Sequence, residues 1–397
     1  MMRKLSFYVA IILCLVLIVP VAGGCSKTEE QNTFEKLLSL LPVEAKEGRA
    51  ISIIDYESFR KVNGISLYDE DSNKITKEVY TETIMNTYNS GDMFGVDILW
   101  YSSDWTGILN DGLFSPITHE NIGYSITDVN AEINNIQSLR IVSPGAGEYN
   151  DNLDALVAAV GDFNAQSTKD ALENRSEWPS WAKDNFVSEE HEKIAIYSWG
   201  DGLEIHLGSR YEPPHIDPIG RAVPLAVSDG QFFFGGSTAD IKSAIDASMN
   251  KKSSLADIPE YVLVAQYMHD LNTIGLLIMD EVLLPDALDA PESIFGPNLK
   301  DFTTVGMGLG KDDKGEYMAL VIVFDNTVAA EEGFSALEQK VEVYNKIYDM
   351  NDNNNKYYIY DTEISVDNIV LSAKLYTGHK SLWRHWFINL WPVVFKR

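Results

Sequence analysis

Apolar residues along the chain change spacing several times, and each change marks an element. Phe34, Leu37, Leu38 and Leu41 recur at the helical interval until Pro42 stops the run. From Arg49 the pattern turns to strand, with Ile51-Ser52-Ile53-Ile54-Asp55 as a buried segment. Residues 76–89 then read as helix and Val96-Asp97-Ile98-Leu99-Trp100-Tyr101 as strand. In the middle of the chain, residues 155–160 form an apolar strand that Gly161-Asp162-Phe163-Asn164 turns into a helix reaching Glu173. Three further strands follow at 194–197, 203–207 and 222–227, and Ser228-Asp229-Gly230 makes a hairpin turn into Gln231-Phe232-Phe233-Phe234-Gly235. Ser237 is placed to cap a helix carrying Ile241, Ala244 and Ile245, which ends at Asn250.

A similar order recurs near the C-terminus. Met318–Phe324 is a strand, Asp325-Asn326 turns it, and residues 328–348 carry Phe334, Leu337, Val341 and Tyr344 on one helical face. A strand at 357–360 follows, then a turn at Val366-Asp367-Asn368, a strand over 369–375 and a closing helix over 380–390. The match between the two regions predicts an internal duplication. The expected fold is therefore α+β, with two or more strand-helix-strands-helix repeats and largely antiparallel sheets. The expected divisions are 1–24 as leader, 25–33 as a polar tether, 34–148 as an N-terminal α+β region, 149–290 as a first repeat and 291–397 as a second.

The first residues read differently. Arg3 and Lys4 precede a run from Leu5 to Val21 that is apolar apart from Ser6 and interrupted by Pro20, which is the layout of an export signal. It ends in Ala22-Gly23-Gly24-Cys25 and here resembles the lipobox of bacterial lipoprotein signal peptides. The resemblance covers four residues and implies cleavage between Gly24 and Cys25, a diacylglycerol on the Cys25 thiol and usually a fatty acyl group such as palmitate on the new amino group. Two other readings stay open: an uncut signal anchor, since about 17 to 25 apolar residues span a bilayer, and an ordinary secretory cleavage. Pro20 and the small residues after it argue against the anchor. Two or three acyl chains hold a protein durably where one does not, at about 0.8 kcal/mol per buried methylene.

Charge and cysteine content narrow the classes. The chain has 31 basic and 59 acidic residues; without Arg3 and Lys4 the basic count is 29, for a formal charge of −30. Such a field repels phosphate backbones, so nucleic acid is excluded as a partner. Of two cysteines, Cys14 lies in the leader, so the mature chain keeps only Cys25 and forms no internal disulfide. An exported chain of this length must be held by its core.

The body also looks like a loose class of uncharacterised bacterial lipoproteins. The features are Leu40-Leu41-Pro42-Val43 with Ile53-Ile54-Asp55, the Gly161 to Leu172 turn and helix, and the helix start at Gly235 to Ser237. That resemblance implies a duplicated α+β fold with no assigned catalysis, and it brings no functional residues.

Chemistry is sparse at the level of motif. No two of His119, His191, His206, His215, His269, His379 and His385 have the three- to five-residue spacing of a helical metal site. Asp69-Glu70-Asp71-Ser72-Asn73 begins like a calcium loop, but Lys74 and Tyr80 occupy its glycine and glutamate positions, and Asp349–Asn353 fails likewise at Tyr360. Gly235-Gly236-Ser237 is no nucleophile elbow and no glycine fingerprint for phosphate is present. No cofactor, metal or catalysis is expected. Trp100 and Trp105, with Ser102 and Asp104 between them, and Tyr211 near His215 are candidate ligand-binding aromatics, set against the plainer expectation that aromatics fill a core of many strands. The expected protein is a membrane-attached, extracytoplasmic, non-catalytic one that binds an envelope protein or a small molecule. A substrate-binding lipoprotein of a transporter is the runner-up, followed by an envelope hydrolase and an apolar lipid carrier.

Overall fold

A twelve-stranded antiparallel sheet runs through the computed structural model, with helices laid on both faces. The structure describes residues 31–47, 49–90, 123–124, 126–137, 156–176, 178–199, 224–280, 299–349 and 359–377, together with Phe94 and Pro297. The strands are β1 Arg49–Asp55, β2 Val129–Gln137, β3 Leu156–Gly161, β4 Val187–His191, β5 Ile194–Ser198, β6 Leu225–Ser228, β7 Gln231–Gly235, β8 Thr273–Asp280, β9 Phe302–Asp312, β10 Gly315–Phe324, β11 Ile359–Asp367 and β12 Val370–Thr377. The helices are α1 Thr33–Leu38, α2 Tyr56–Val62, α3 Lys77–Asn89, α4 Ala165–Glu173, α5 Ser180–Asp184, α6 Thr238–Ser248, α7 Pro259–Asp270 and α8 Thr327–Asp349. Thr33–Arg397 is one compact unit.

The strand order, β11-β12-β10-β9-β8-β1-β2-β3-β7-β6-β5-β4, contains the same path twice. β1-β2-β3 is a meander; the chain leaves through α4 and α5 and returns in the β6–β7 hairpin, whose second strand pairs with β3. β8-β9-β10 is again a meander; α8 follows, and the β11–β12 hairpin returns to pair β12 with β10. The two copies meet back to back through the antiparallel β1–β8 pair, and β4–β5 extends one end. Topologically the copies start at β1 and at β8.

Local sequence explains several joints. Gly161 ends β3 where an added Cβ would strike the Asp128 carbonyl. Asn164 caps α4 by accepting from Ser167 N at 2.9 Å, and Asp229 Oδ1 accepts from Ala165 N at 3.2 Å, so the Gly-Asp-Phe-Asn turn and the Asp229-Gly230 hairpin hold each other. Ser237 caps α6 in a reciprocal box with Asp240, as its position predicts.

Each face of the sheet has its own core. On one lie α2 to α5 and α8, with Phe59, Tyr80, Leu172, Ala182 and Leu337 packed on the strands. On the other lie α1, α6 and α7, with Phe34, Ile241 and Val264. β9 shows Gly306, Gly308 and Gly310 to that second face, at every other position; Gly310 makes room for the Tyr317 ring, and the other two let α7 lie close, since a Cβ on Gly308 would meet Gly275 O at 2.8 Å and Met268 Sδ at 3.1 Å. At the sheet's margins, β4 carries Glu189 and Glu190 and β11 carries Asp361, Glu363 and Asp367, so charge guards both edges against pairing with another chain.

The pattern leaves β2, β4, β8, β9, α2, α5 and α7 unassigned, and the structure supplies them. The strands expected at 96–101 and 203–207 and the helix over 380–390 lie outside the described residues.

Candidate functional site

Cys25, Gly24, Trp100, Trp105 and Tyr211 all lie outside the described residues, as do His119, His206, His215, His379 and His385. Many of the described aromatic side chains fill the core, Tyr68 and Tyr360 being exposed: Tyr124, Phe163 and Phe232 pack with ring centroids 5.0 to 5.7 Å apart, and Trp178 meets Trp199 edge-on at 6.2 Å. The Asp69 loop is a polar turn, with Asp69 Oδ1 accepting from the amides of Asp71 and Asn73 at 2.9 and 2.8 Å. Lys74, at the position that a calcium loop would give to glycine, reaches Asp128 and Asp162 instead, at 2.7 and 3.1 Å.

Two clusters of ionisable groups stand out among the described residues. The first lies at the sheet's centre. Glu132 is on β2 opposite Ile54, only 1% exposed, and its side chain points to the face covered by α2. Two donors reach it: Asn134 Nδ2 donates to Oε1 at 3.0 Å and Tyr56 Oη to Oε2 at 3.3 Å. Among the described residues no cation pairs with it. Arg60, the nearest candidate on α2, donates to Val129 O at 2.9 Å and to Asn130 Oδ1 at 3.3 Å. Burial therefore outweighs the two hydrogen bonds and lifts the carboxyl from its ordinary 4.5 to about 7. Asn134 Oδ1, nearby, is buried with no hydrogen-bond partner. Burial also raises Tyr56, Tyr80 and Tyr124, and the charge of Glu132 adds to the rise for Tyr56 and Tyr124.

Asn135, the next residue on β2, makes the contrast plain. It is equally buried, on the other face, but donates to Ala45 O at 3.1 Å and accepts from Leu156 N at 2.6 Å, bridging two backbone segments. Its burial is explained by architecture; that of Glu132 is not.

The second cluster joins the β4–β5 edge hairpin to α6. His191 Nε2 lies 2.8 Å from Asp246 Oδ1, Glu189 accepts from Lys242 at 2.8 Å, and Glu192 pairs with Lys251. Donor atoms of His191, Glu192 and Asp246 lie within 4.8 Å of one another, which meets the crude spacing of a metal site. Each already has a protein partner, and Lys251 supplies positive charge to Glu192, so ion pairing accounts for the arrangement. Sequence spacing misses it because His191 and Asp246 stand 55 positions apart. Glu132 is missed because one acid among 59 has no local mark except its place between Ala131 and Ile133.

No protein-family model and no curated protein matches the chain. Among solved structures it is similar to crystal forms I and III of TP0453, at 7% and 8% identity, over 87% of this chain and 95% and 96% of those chains, with TM-scores of 0.36 and 0.37.

Proposed function

We propose that the chain is an extracytoplasmic protein held at a membrane by lipid on Cys25, with a non-catalytic role in binding an envelope partner or a small molecule. The observation that carries this is the order basic, apolar, small, cysteine over Met1 to Cys25. Three features accord with it. The mature chain needs no disulfide, since each sheet face carries a large apolar core. No helix among the described residues is long and apolar enough to cross a membrane. The surface is strongly acidic, which favours solubility over adsorption to anionic lipid.

The transporter reading calls for two lobes around a cleft. A single unbroken sheet among the described residues offers no hinge between lobes, and this favours the interaction role. Mass spectrometry of the membrane-extracted product tests the anchor. The N-terminal fragment is expected to begin at diacylglyceryl-Cys25, and Cys25→Ala is expected to release the protein or leave it uncleaved. An unmodified Cys25 in the native product, or a leader still attached, overturns the reading.

A further inference from the structure

We propose that α2 and α3 form a cover over the centre of the sheet that stays closed while Glu132 is protonated and is released when it ionises. Four observations meet at this place. The carboxyl sits on a central strand, 1% exposed, with two neutral donors and, among the described residues, no cation paired to it. Arg60, a buried cation of α2, donates to Val129 O and Asn130 Oδ1 rather than to the carboxyl. Asn134 Oδ1 lies unpartnered beneath the same cover, so admitting water satisfies a group that closure leaves unsatisfied. The cover is slight: α2 spans only Tyr56–Val62, it begins directly at the end of β1, and Gly64 with φ of +67° breaks the chain after it.

The groups facing Glu132 leave it as the one that switches. α2 contributes Tyr56 and Arg60, α3 contributes Tyr80, and the segment before β2 contributes Tyr124 and Asp128, the last paired with Lys74. β1 and β3 place apolar Ile54 and Ala159 directly opposite. Burial keeps the three tyrosines protonated, and arginine stays charged throughout. Ionisation thus puts an uncompensated negative charge under an apolar layer, and exposing it to water relieves the cost. The direction is fixed by linkage. A carboxyl raised by burial favours the closed form fully below its ordinary value near 4.5, and that advantage is lost as pH rises through about 7.

Hydrogen exchange of the full chain from pH 5 to pH 8, corrected for the intrinsic pH dependence of amide exchange, reads the cover directly. Opening of α2 and α3 is expected to rise by up to roughly tenfold per pH unit between about 5 and about 7 and then to level off. Amides of α6 and α7, on the opposite face, serve as the reference. In Glu132→Gln the rise is expected to vanish while the reference stays put. A wild-type cover with no such rise, or a Glu132→Gln protein with the same rise, overturns the proposal. Should Glu132→Gln fail to fold, the wild type decides by infrared spectroscopy. A buried protonated-carboxyl band that disappears near pH 7 together with the exchange transition supports the device, and absence of that band at pH 5 defeats it.

Discussion

β2 and β9 hold equivalent places in the two copies of the fold, yet one buries charge and the other buries none. A half-turn about the Ser52–Leu277 pair carries Ile54 onto Met279 and so carries Glu132, opposite Ile54, onto Val305, opposite Met279. Asn134 falls likewise on Met307. Under α2, β2 thus offers a carboxyl and an amide; at the matching positions β9 offers two apolar side chains, 0% and 2% exposed. On the opposite face Ile133 and Asn135 of β2 fall by the same operation on Gly306 and Gly308 of β9, the glycines that seat α7. Topology therefore does not require a polar centre. The second copy shows that the same strand can be packed dry, so the under-partnered acid in the first belongs to something other than the fold.

Transplanting the acid sharpens this contrast most. Val305→Glu puts a carboxyl where the neighbouring core is wholly apolar, and at pH 8 it is expected to cost about 4 kcal/mol or more in urea unfolding, or to abolish folding. The cost should shrink at pH 5, where the introduced group can stay protonated. An equally stable variant at pH 8 would mean that the core of the second copy admits water, and the two regions would no longer differ in kind.

The reverse change is next in size. Glu132→Gln keeps the shape and removes the titration. Because the folded state holds this proton up to about pH 7, wild type loses roughly 3 kcal/mol from this group between pH 4.5 and pH 7, at about 1.4 kcal/mol per unit. The variant is therefore expected to match wild type near pH 4 and to exceed it by about that amount at pH 8, as measured by paired denaturation curves. A constant difference across pH would assign the effect to packing instead.

The same contrast explains what the sequence made legible. Local signals carried well: the turn at Gly161 to Asn164, the Asp229-Gly230 and Asp367-Asn368 hairpins and the Ser237 cap each depend on a few adjacent residues. β2 escaped because Val129–Gln137 puts buried polar residues on both faces, Glu132 and Asn134 on one and Asn135 on the other, and so breaks the alternation that marks a strand. β9 escaped because glycine at every second place reads as loop until a helix is known to need the room. That β1 and β8 join the copies into one sheet is a pairing more than 200 residues apart in sequence, which no local pattern encodes. The candidate site shared this fate, since a carboxyl becomes unusual only through what surrounds it.

Gly308 tests the glycine side of the comparison. Gly308→Ala is expected to cost about 1 to 3 kcal/mol, because the added methyl would press on the Gly275 carbonyl, which is backbone of a paired strand and cannot swing aside. Thermal unfolding reads this loss. Ala131, on the same face of β2, carries a methyl, and Ala131→Gly should cost only the modest strand penalty of glycine, about 0.5 to 1 kcal/mol, plus a small void.

The smallest expected effect concerns where the copies still agree. Gly230 and Asn368 lie in corresponding two-residue hairpin turns, Gly230 as the second residue of its loop and Asn368 as the first of its own, with φ of +83° and +55°, a region that glycine enters freely and asparagine tolerates. Exchanging them is therefore expected to change stability by no more than about 0.5 to 1 kcal/mol in either copy. Gly230→Asn meets no obstruction, since the nearest atom to an added Cβ is Gly161 O at 3.8 Å. Asn368→Gly gives up one exposed hydrogen bond, from Thr327 Oγ1 to Asn368 Oδ1 at 3.1 Å, which keeps its cost small. Gly230→Val, by contrast, forces a branched side chain into the left-handed region and should cost about 1 to 3 kcal/mol. If asparagine at 230 proved as costly as valine, the left-handed position of the first turn would demand glycine itself, and the likeness between the copies would end at strand order.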